Sequence, residues 1–107
     1  MLNQVICVGR LIDTPKIETT ENGSKKSIIT IAVNRCFKNP DGVYETDLID
    51  CVLYKGIATN TAEYCRKGDV IGIRGRIQTK NVDDKRELEI IADKITFLSS
   101  NQKEVNE

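Results

Sequence analysis

Thr46-Asp-Leu-Ile-Asp-Cys-Val-Leu-Tyr54 and the nearby stretch Gly56-Ile-Ala-Thr-Asn-Thr-Ala-Glu-Tyr-Cys-Arg-Lys-Gly68 change their hydrophobic period at one point. In the first segment Ile49, Cys51 and Leu53 fall on one face of an extended chain. In the second, Ile57, Thr61 and Cys65 recur at i, i+4 and i+8, with Ala58 and Ala62 beside them, the stripe of one short amphipathic helix. The spacing predicts a strand over Thr46–Tyr54 and a helix over Gly56–Lys67, stopped by Gly68 behind Arg66 and Lys67.

Working outward, extended segments flank this pair on both sides. Leu2–Ile12 reads as a long strand interrupted by Gly9, and Ser27–Cys36 as a second, rich in isoleucine and valine. Glu21-Asn-Gly-Ser24 and Asn39-Pro-Asp-Gly42 are turn signals between them. Beyond the helix, Val70–Thr79 and Leu88–Phe97 read as the fourth and fifth strands, joined by a polar connection over Asn81–Arg86. The fold class is therefore all-β, and five strands with one short helix between the third and fourth is the element order of an OB-fold barrel. A glycine inside a long first strand fits, because that strand must bend sharply to serve both halves of a barrel. Element order alone leaves an SH3-like barrel or a small open sheet in play.

At 107 residues the chain is the size of one domain, and 39% hydrophobic with 30% charged residues is ordinary for a globular one. No apolar run approaches a membrane span, and no basic-then-apolar leader opens the chain, so a cytoplasmic protein with no membrane partner is expected. Histidine is absent, removing the commonest general base and zinc ligand. Cys7, Cys36, Cys51 and Cys65 contain no C-x-x-C spacing, so buried, reduced thiols are expected, with no metal site and no disulfide framework. No P-loop, G-x-S-x-G or H-E-x-x-H occurs, and adjacent Asp83 and Asp84 read as a soluble hairpin tip. An enzyme, a cofactor and a small-molecule substrate are not expected.

Sixteen basic residues balance sixteen acidic ones, but they are unevenly placed. Five basic residues and one acidic lie between Tyr64 and Lys80, whereas four acidic and no basic residues lie between Asp41 and Asp50. Strand parity puts Ile71, Ile73 and Ile77 on one face and Arg74, Arg76 and Lys80 on the other. Likewise Leu48, Asp50, Val52 and Tyr54 form the outer row of the third strand. Alone, the cationic row could simply keep a strand face soluble. Beside an exposed Tyr54 it also suits single-stranded nucleic acid, whose bases stack on aromatics while cations follow the phosphates. Tyr44 and Tyr64 are weaker candidates, Tyr64 being expected to pack the helix on the barrel. Phe37 has two readings: buried if its strand is unbroken, exposed on a mobile hairpin between Arg35 and Lys38 if the strand frays.

The first strand is apolar on both faces, with Val5, Cys7 and Leu11 on one and Ile6 and Val8 on the other. A barrel strand needs burial on one face only, so Val5–Val8 is a candidate interface with a second copy of the chain.

Met1-Leu-Asn3, Val8-Gly-Arg-Leu11, Ala32-Val-Asn-Arg35, Tyr64-Cys-Arg-Lys-Gly68, Gly75-Arg-Ile-Gln-Thr79 and Ile91-Ala-Asp93 resemble, in order, segments of the bacterial-type single-stranded DNA-binding protein family. The resemblance covers about residues 1–98. It implies an OB-fold domain over 1–98, homotetramers, and coating of single-stranded DNA in replication, recombination and repair. It implies stacking roles for Phe37 (the exposed reading) and Tyr54, and phosphate contacts for Lys55, Lys67 and Lys80. Leu48 and Val82 depart from it, standing where many members carry an aromatic, and Gln4 replaces a common basic residue. With no tryptophan, fewer stacked bases per protomer are expected. Residues 99–107 form a short polar tail that contains Lys103 and lacks the acidic, phenylalanine-ended tip usual in the family, so no tail-mediated recruitment is expected.

Two rival binding modules share this element order. One resembles primosomal replication protein N, an OB-fold dimer acting in replication restart. The other is a protein-only adaptor with no affinity for oligonucleotides.

Overall fold

The computed structural model describes residues 1–100. Its elements are β1 (Val5–Leu11), β2 (Glu18–Thr19), β3 (Lys25–Lys38), β4 (Tyr44–Tyr54), α1 (Lys55–Tyr64), β5 (Val70–Val82) and β6 (Lys85–Ser99). The order β1-β5-β6-β4-β3 returns to β1 through Arg10↔Ala32 and Leu11↔Ile31, closing a five-stranded barrel. The pairs are antiparallel except β4 with β6, which meet in parallel at Val52↔Ile91. The two-residue β2 adds only a flank to β3. This is the expected OB-fold, with its helix between the third and fourth barrel strands.

Closure depends on how closely β1 approaches two partners. It pairs with β5 over Val5–Arg10 and passes to β3 at Arg10 and Leu11. A Cβ at Gly9 would stand 2.6 Å from the Ala32 carbonyl oxygen, so only glycine permits that passage. Inside, Leu11, Ile29, Ile31, Cys51, Leu53, Ile71, Ile73 and Ala92 pack together, with Ala58 of α1 plugging one end.

Four expectations need correction. The helix ends at Tyr64, not Lys67: Cys65 is extended, and the buried Asp69 carboxylate accepts the Arg66 N–H at 2.9 Å, drawing the chain into a turn. Arg66 Nη1 donates to the carbonyls of Ala62, Glu63 and Cys65, satisfying the helix end. Gly68 does take positive φ (+93°), but within that turn, where its N–H donates to the Leu11 carbonyl. Residues 81–86 are not a polar connection. The ladder continues to Val82↔Lys85, and Asp83 and Asp84 alone make the turn with φ of 51° and 64°, as a two-residue hairpin of this hand requires. Cys36 is exposed, because its hairpin extends past the barrel; Cys51 and Cys65 are buried and Cys7 half-buried. Finally, Val52 lies in the outer row of β4 yet is buried, because it is flanked by Ile28 of β3 and Ile91 of β6.

β1 otherwise starts at Val5, but Asn3 extends the pairing with its side chain. Its Nδ2 donates to the Ile77 carbonyl at 2.7 Å and its Oδ1 accepts the Ile77 N–H at 2.9 Å. No helix among the described residues is long and apolar enough to cross a membrane. The expectation for the tail falls, from residue 101 onward, outside the described residues.

Candidate nucleic-acid interface

The outer faces of β3, β4, β6 and β5 carry one continuous row, Ile28–Val52–Ile91–Arg76, read directly across four strands. One step along the strands, Tyr54 stands opposite Lys26 and is 38% exposed. In the other direction Thr30 donates to Asp50 at 2.6 Å, and beyond them exposed Leu48 faces Ala32. Val52 and Ile91 are buried, so the accessible apolar floor is Ile28, Leu48 and Tyr54, with cations at both ends. It suits a flat, partly apolar ligand followed by a charged backbone.

The β3–β4 hairpin rises from one edge of that floor. Phe37 is 63% exposed, as its exposed reading expects, although β3 does not fray. Instead the register slips between Asn34↔Thr46 and Lys38↔Tyr44, and from Asn34 onward neither face of the strand meets the core. The Lys38 ammonium lies 5.7 Å from the centre of the exposed Tyr44 ring, a cation–π pairing.

The basic positions are less uniform than parity suggests. Arg35 donates from Nε and Nη2 to both oxygens of Asp47, at 3.1 and 2.9 Å, and from Nη1 to Glu45. The hydrogen bonds to Arg35 hold the Asp47 carboxyl below its usual range, and the same bonds raise the guanidinium. Arg76 is bonded to Asp93 at 2.8 Å, and Lys80 lies 3.5 Å from Glu89. Arg74, Lys55 and Lys67 have no carboxylate partner among the described residues. Arg74 is exposed, across from Ile6 on one side and Lys94 on the other, and the bulge beside it falls on β6, where Asp93 is the extra residue. Lys67 shares a hollow with Arg10 and Ala32, near the Leu48 end of the floor.

Two participants are not visible to parity alone. Lys26 becomes the partner of Tyr54, and Arg10 joins Lys67; both depend on pairings between distant strands. Tyr64, expected to pack on the barrel, is 69% exposed because the helix stops there and buries Ala58 and Thr61 instead. On β1, Ile6 and Val8 are 70% and 53% exposed, while Val5 and Cys7 turn inward. Among the described residues no strand pairs with the β3-side edge of Val5–Gly9. Among the described residues no group of three or more His, Cys, Asp or Glu side chains is placed to hold a metal ion.

A family model described as the single-strand binding protein family matches residues 2–98. The single-stranded DNA-binding protein B of Bacillus subtilis is 39% identical, over 97% of this chain and 96% of the relative. The single-stranded DNA-binding protein 3 of Listeria innocua is 42% identical, over 95% of this chain and 67% of the relative. Among solved structures, a Plasmodium falciparum SSB in complex with ssDNA superposes with a TM-score of 0.79 at 24% identity, covering 92% of this chain and 96% of that one. A deletion mutant of the Thermus aquaticus single-stranded DNA-binding protein also gives 0.79, at 22% identity, covering 94% of this chain and 52% of that one. These two likenesses establish the fold.

Proposed function

The chain belongs to the single-strand binding protein family, whose members are non-enzymatic DNA-binding proteins, and on that premise we propose that it binds single-stranded DNA with little regard to sequence. The observation that carries this reading is the Tyr54–Lys26 pair at the margin of the Ile28–Val52–Ile91–Arg76 row. Bases stack on Tyr54 and Phe37, and phosphates follow Lys26, Lys38, Lys55, Lys67, Arg74, Arg76 and Lys80. Arg35 joins only when its carboxylates release it. Duplex DNA offers no free base faces, so stacking is lost there. The proposed setting is the cytoplasm, in replication, recombination and repair, with one DNA-binding domain over residues 1–98.

The proposed assembly is a homotetramer, begun by pairing of β1 edges with Ile6 and Val8 covered by a second copy. Two exposed apolar side chains beside an unpaired strand edge support that arrangement.

Titration with a labelled oligothymidylate, and with a duplex of equal length, at two salt concentrations tests the function. Affinity for the single strand should fall as salt rises, with a log–log slope of about −0.7 per phosphate contacted. Equal affinity for duplex and single strand refutes it. No binding at all points to the protein-only adaptor, and binding by a stable dimer to the replication-restart module.

A further inference from the structure

A groove of about 370 Å³ lies between α1 and β6, on a part of the barrel that the DNA-binding reading leaves unused. One wall is Ile57, Asn60, Thr61 and Tyr64 of the helix with Cys65 just beyond it; the other is Asp93, Lys94, Ile95 and Phe97 of the strand. Tyr64 and Phe97 are 69% and 48% exposed, large rings left in water on facing walls.

The strand wall has a second property. β6 pairs with β4 only at Val52↔Ile91, and β4 ends at Tyr54. Beyond Ala92, β6 is therefore paired with β5 alone, from Lys94 to Ser99, with Asp93 and Leu98 skipped at bulges. Among the described residues no other backbone or side-chain group bonds to its remaining edge. An unpaired edge presents alternating N–H and C=O groups, which an extended chain satisfies by adding a strand.

The charges choose among occupants. Asp93 is held by Arg76 at 2.8 Å, which leaves Lys94 as the charged group of the lining without an ion-pair partner. Two copies of this edge paired symmetrically would bring Lys94 towards its own counterpart, and like charges across a ladder disfavour that pairing. Nucleic acid is disfavoured too, since one cation beside an apolar wall does not follow a phosphate chain. We propose that the groove is a docking site for an extended acidic segment of a partner protein. That segment adds as a strand to the Asp93–Ser99 edge, seats an apolar side chain between Tyr64 and Phe97, and places a carboxylate against Lys94.

The test selects short random peptides displayed on phage against the intact folded chain. The enriched sequence, synthesised with a fluorophore, is then titrated into wild type, Tyr64→Ser and Lys94→Glu. The expected sequences alternate apolar and polar residues and include a carboxylate, and each substitution weakens binding about tenfold or more. Exchanging the peptide carboxylate for lysine should restore binding to Lys94→Glu, and the bound peptide should slow amide exchange within Asp93–Ser99. Affinity for oligothymidylate should stay within about twofold in Tyr64→Ser, so failure here and failure of the DNA-binding reading are separate outcomes. The proposal is overturned if no sequence is enriched or if enriched peptides bind both variants as well as wild type. It is also overturned by protection on another strand edge, or by a wild-type self-association that Tyr64→Ser abolishes.

Discussion

Replacing Asp47 by asparagine, alone and together with Glu45→Gln, asks whether Arg35 is withheld from DNA by its own hairpin. In the folded chain three of its nitrogens are bonded to these two carboxylates. Arg35 and Asp47 shift each other towards their charged forms, so at neutral pH that pair is fully ionised. A phosphate reaching Arg35 must displace a carboxylate. A cation already neutralised within the protein condenses nothing onto DNA and releases no counterion. Wild-type Arg35 should therefore add almost nothing to the salt dependence of binding.

The double substitution frees one guanidinium and moves the formal charge of a protomer from 0 to +2. One added phosphate contact steepens the log–log slope by about 0.7, so across an about fourfold fall in salt the variant gains a further factor of about 2.6 over wild type. Fluorescence anisotropy with oligothymidylate over a salt series measures this directly. Arg35→Ala completes the cycle: nearly silent in the wild-type background, it should remove the whole gain in the double variant. An unchanged slope, or an Arg35→Ala loss equal in both backgrounds, refutes the clamp. Chemical denaturation serves as the control, since so exposed a cluster should matter little to folding.

Tyr54→Phe should leave binding of single strands nearly unchanged while Tyr54→Ala costs about 1–3 kcal/mol, because the ring and not the hydroxyl stacks; normal binding by a folded Tyr54→Ala chain removes that role. Ile6→Lys with Val8→Lys should lower the mass seen by light scattering without loss of solubility, if those side chains are covered by a second copy; a single-protomer mass for the unmodified chain ends the idea. Gly75→Ala places a Cβ 2.1 Å from the Ile91 carbonyl oxygen, against backbone that cannot yield cheaply, and should lower the urea midpoint strongly, by about 1–3 kcal/mol of stability. Burial pushes the Cys51 thiol up to about 12, against about 8.5 in an unfolded chain. Its contribution to stability is therefore complete below the unfolded value and lost as pH rises towards the folded one, so thermal stability should decline above about pH 8.5, less so in Cys51→Ala. In the native chain Cys36 should alkylate first, and Cys51 and Cys65 only on unfolding.

Parity was enough to place most side chains on the correct face, because a strand's two-residue repeat is a local property. It correctly exposed Tyr54, Ile6 and Val8 and buried Ile71, Ile73, Cys51 and Leu53. The switch of period after Tyr54 located the helix, although its end was set by a contact no periodicity encodes, the Asp69 carboxylate on the Arg66 N–H. What the chain did not disclose locally is what stands beside each residue across the sheet. Val52 is buried only because Ile28 and Ile91, 24 positions earlier and 39 later, flank it.

The same limit governs the candidate site, and there it reverses the sign of an argument. Counting cations along Val70–Lys80 suggests an open basic row, yet Arg76 and Lys80 each face a carboxylate on β6, which leaves Arg74, between Ile6 and Lys94, as the cation of that row without one. A hairpin drawn directly around Asn39–Gly42 would set Lys38 across from Val43. The turn takes in Val43 as well, through the Asn39 N–H to Val43 carbonyl bond, so Lys38 meets Tyr44. The register then slips before Asn34, and Arg35 is delivered to Asp47 and Glu45. A ligand phosphate at Arg35, Arg76 or Lys80 must therefore compete with a side chain already present. Affinity at those three positions is set by exchange of one anion for another, and the uncompensated charge available for steering lies with Lys26, Lys38, Lys55, Lys67 and Arg74.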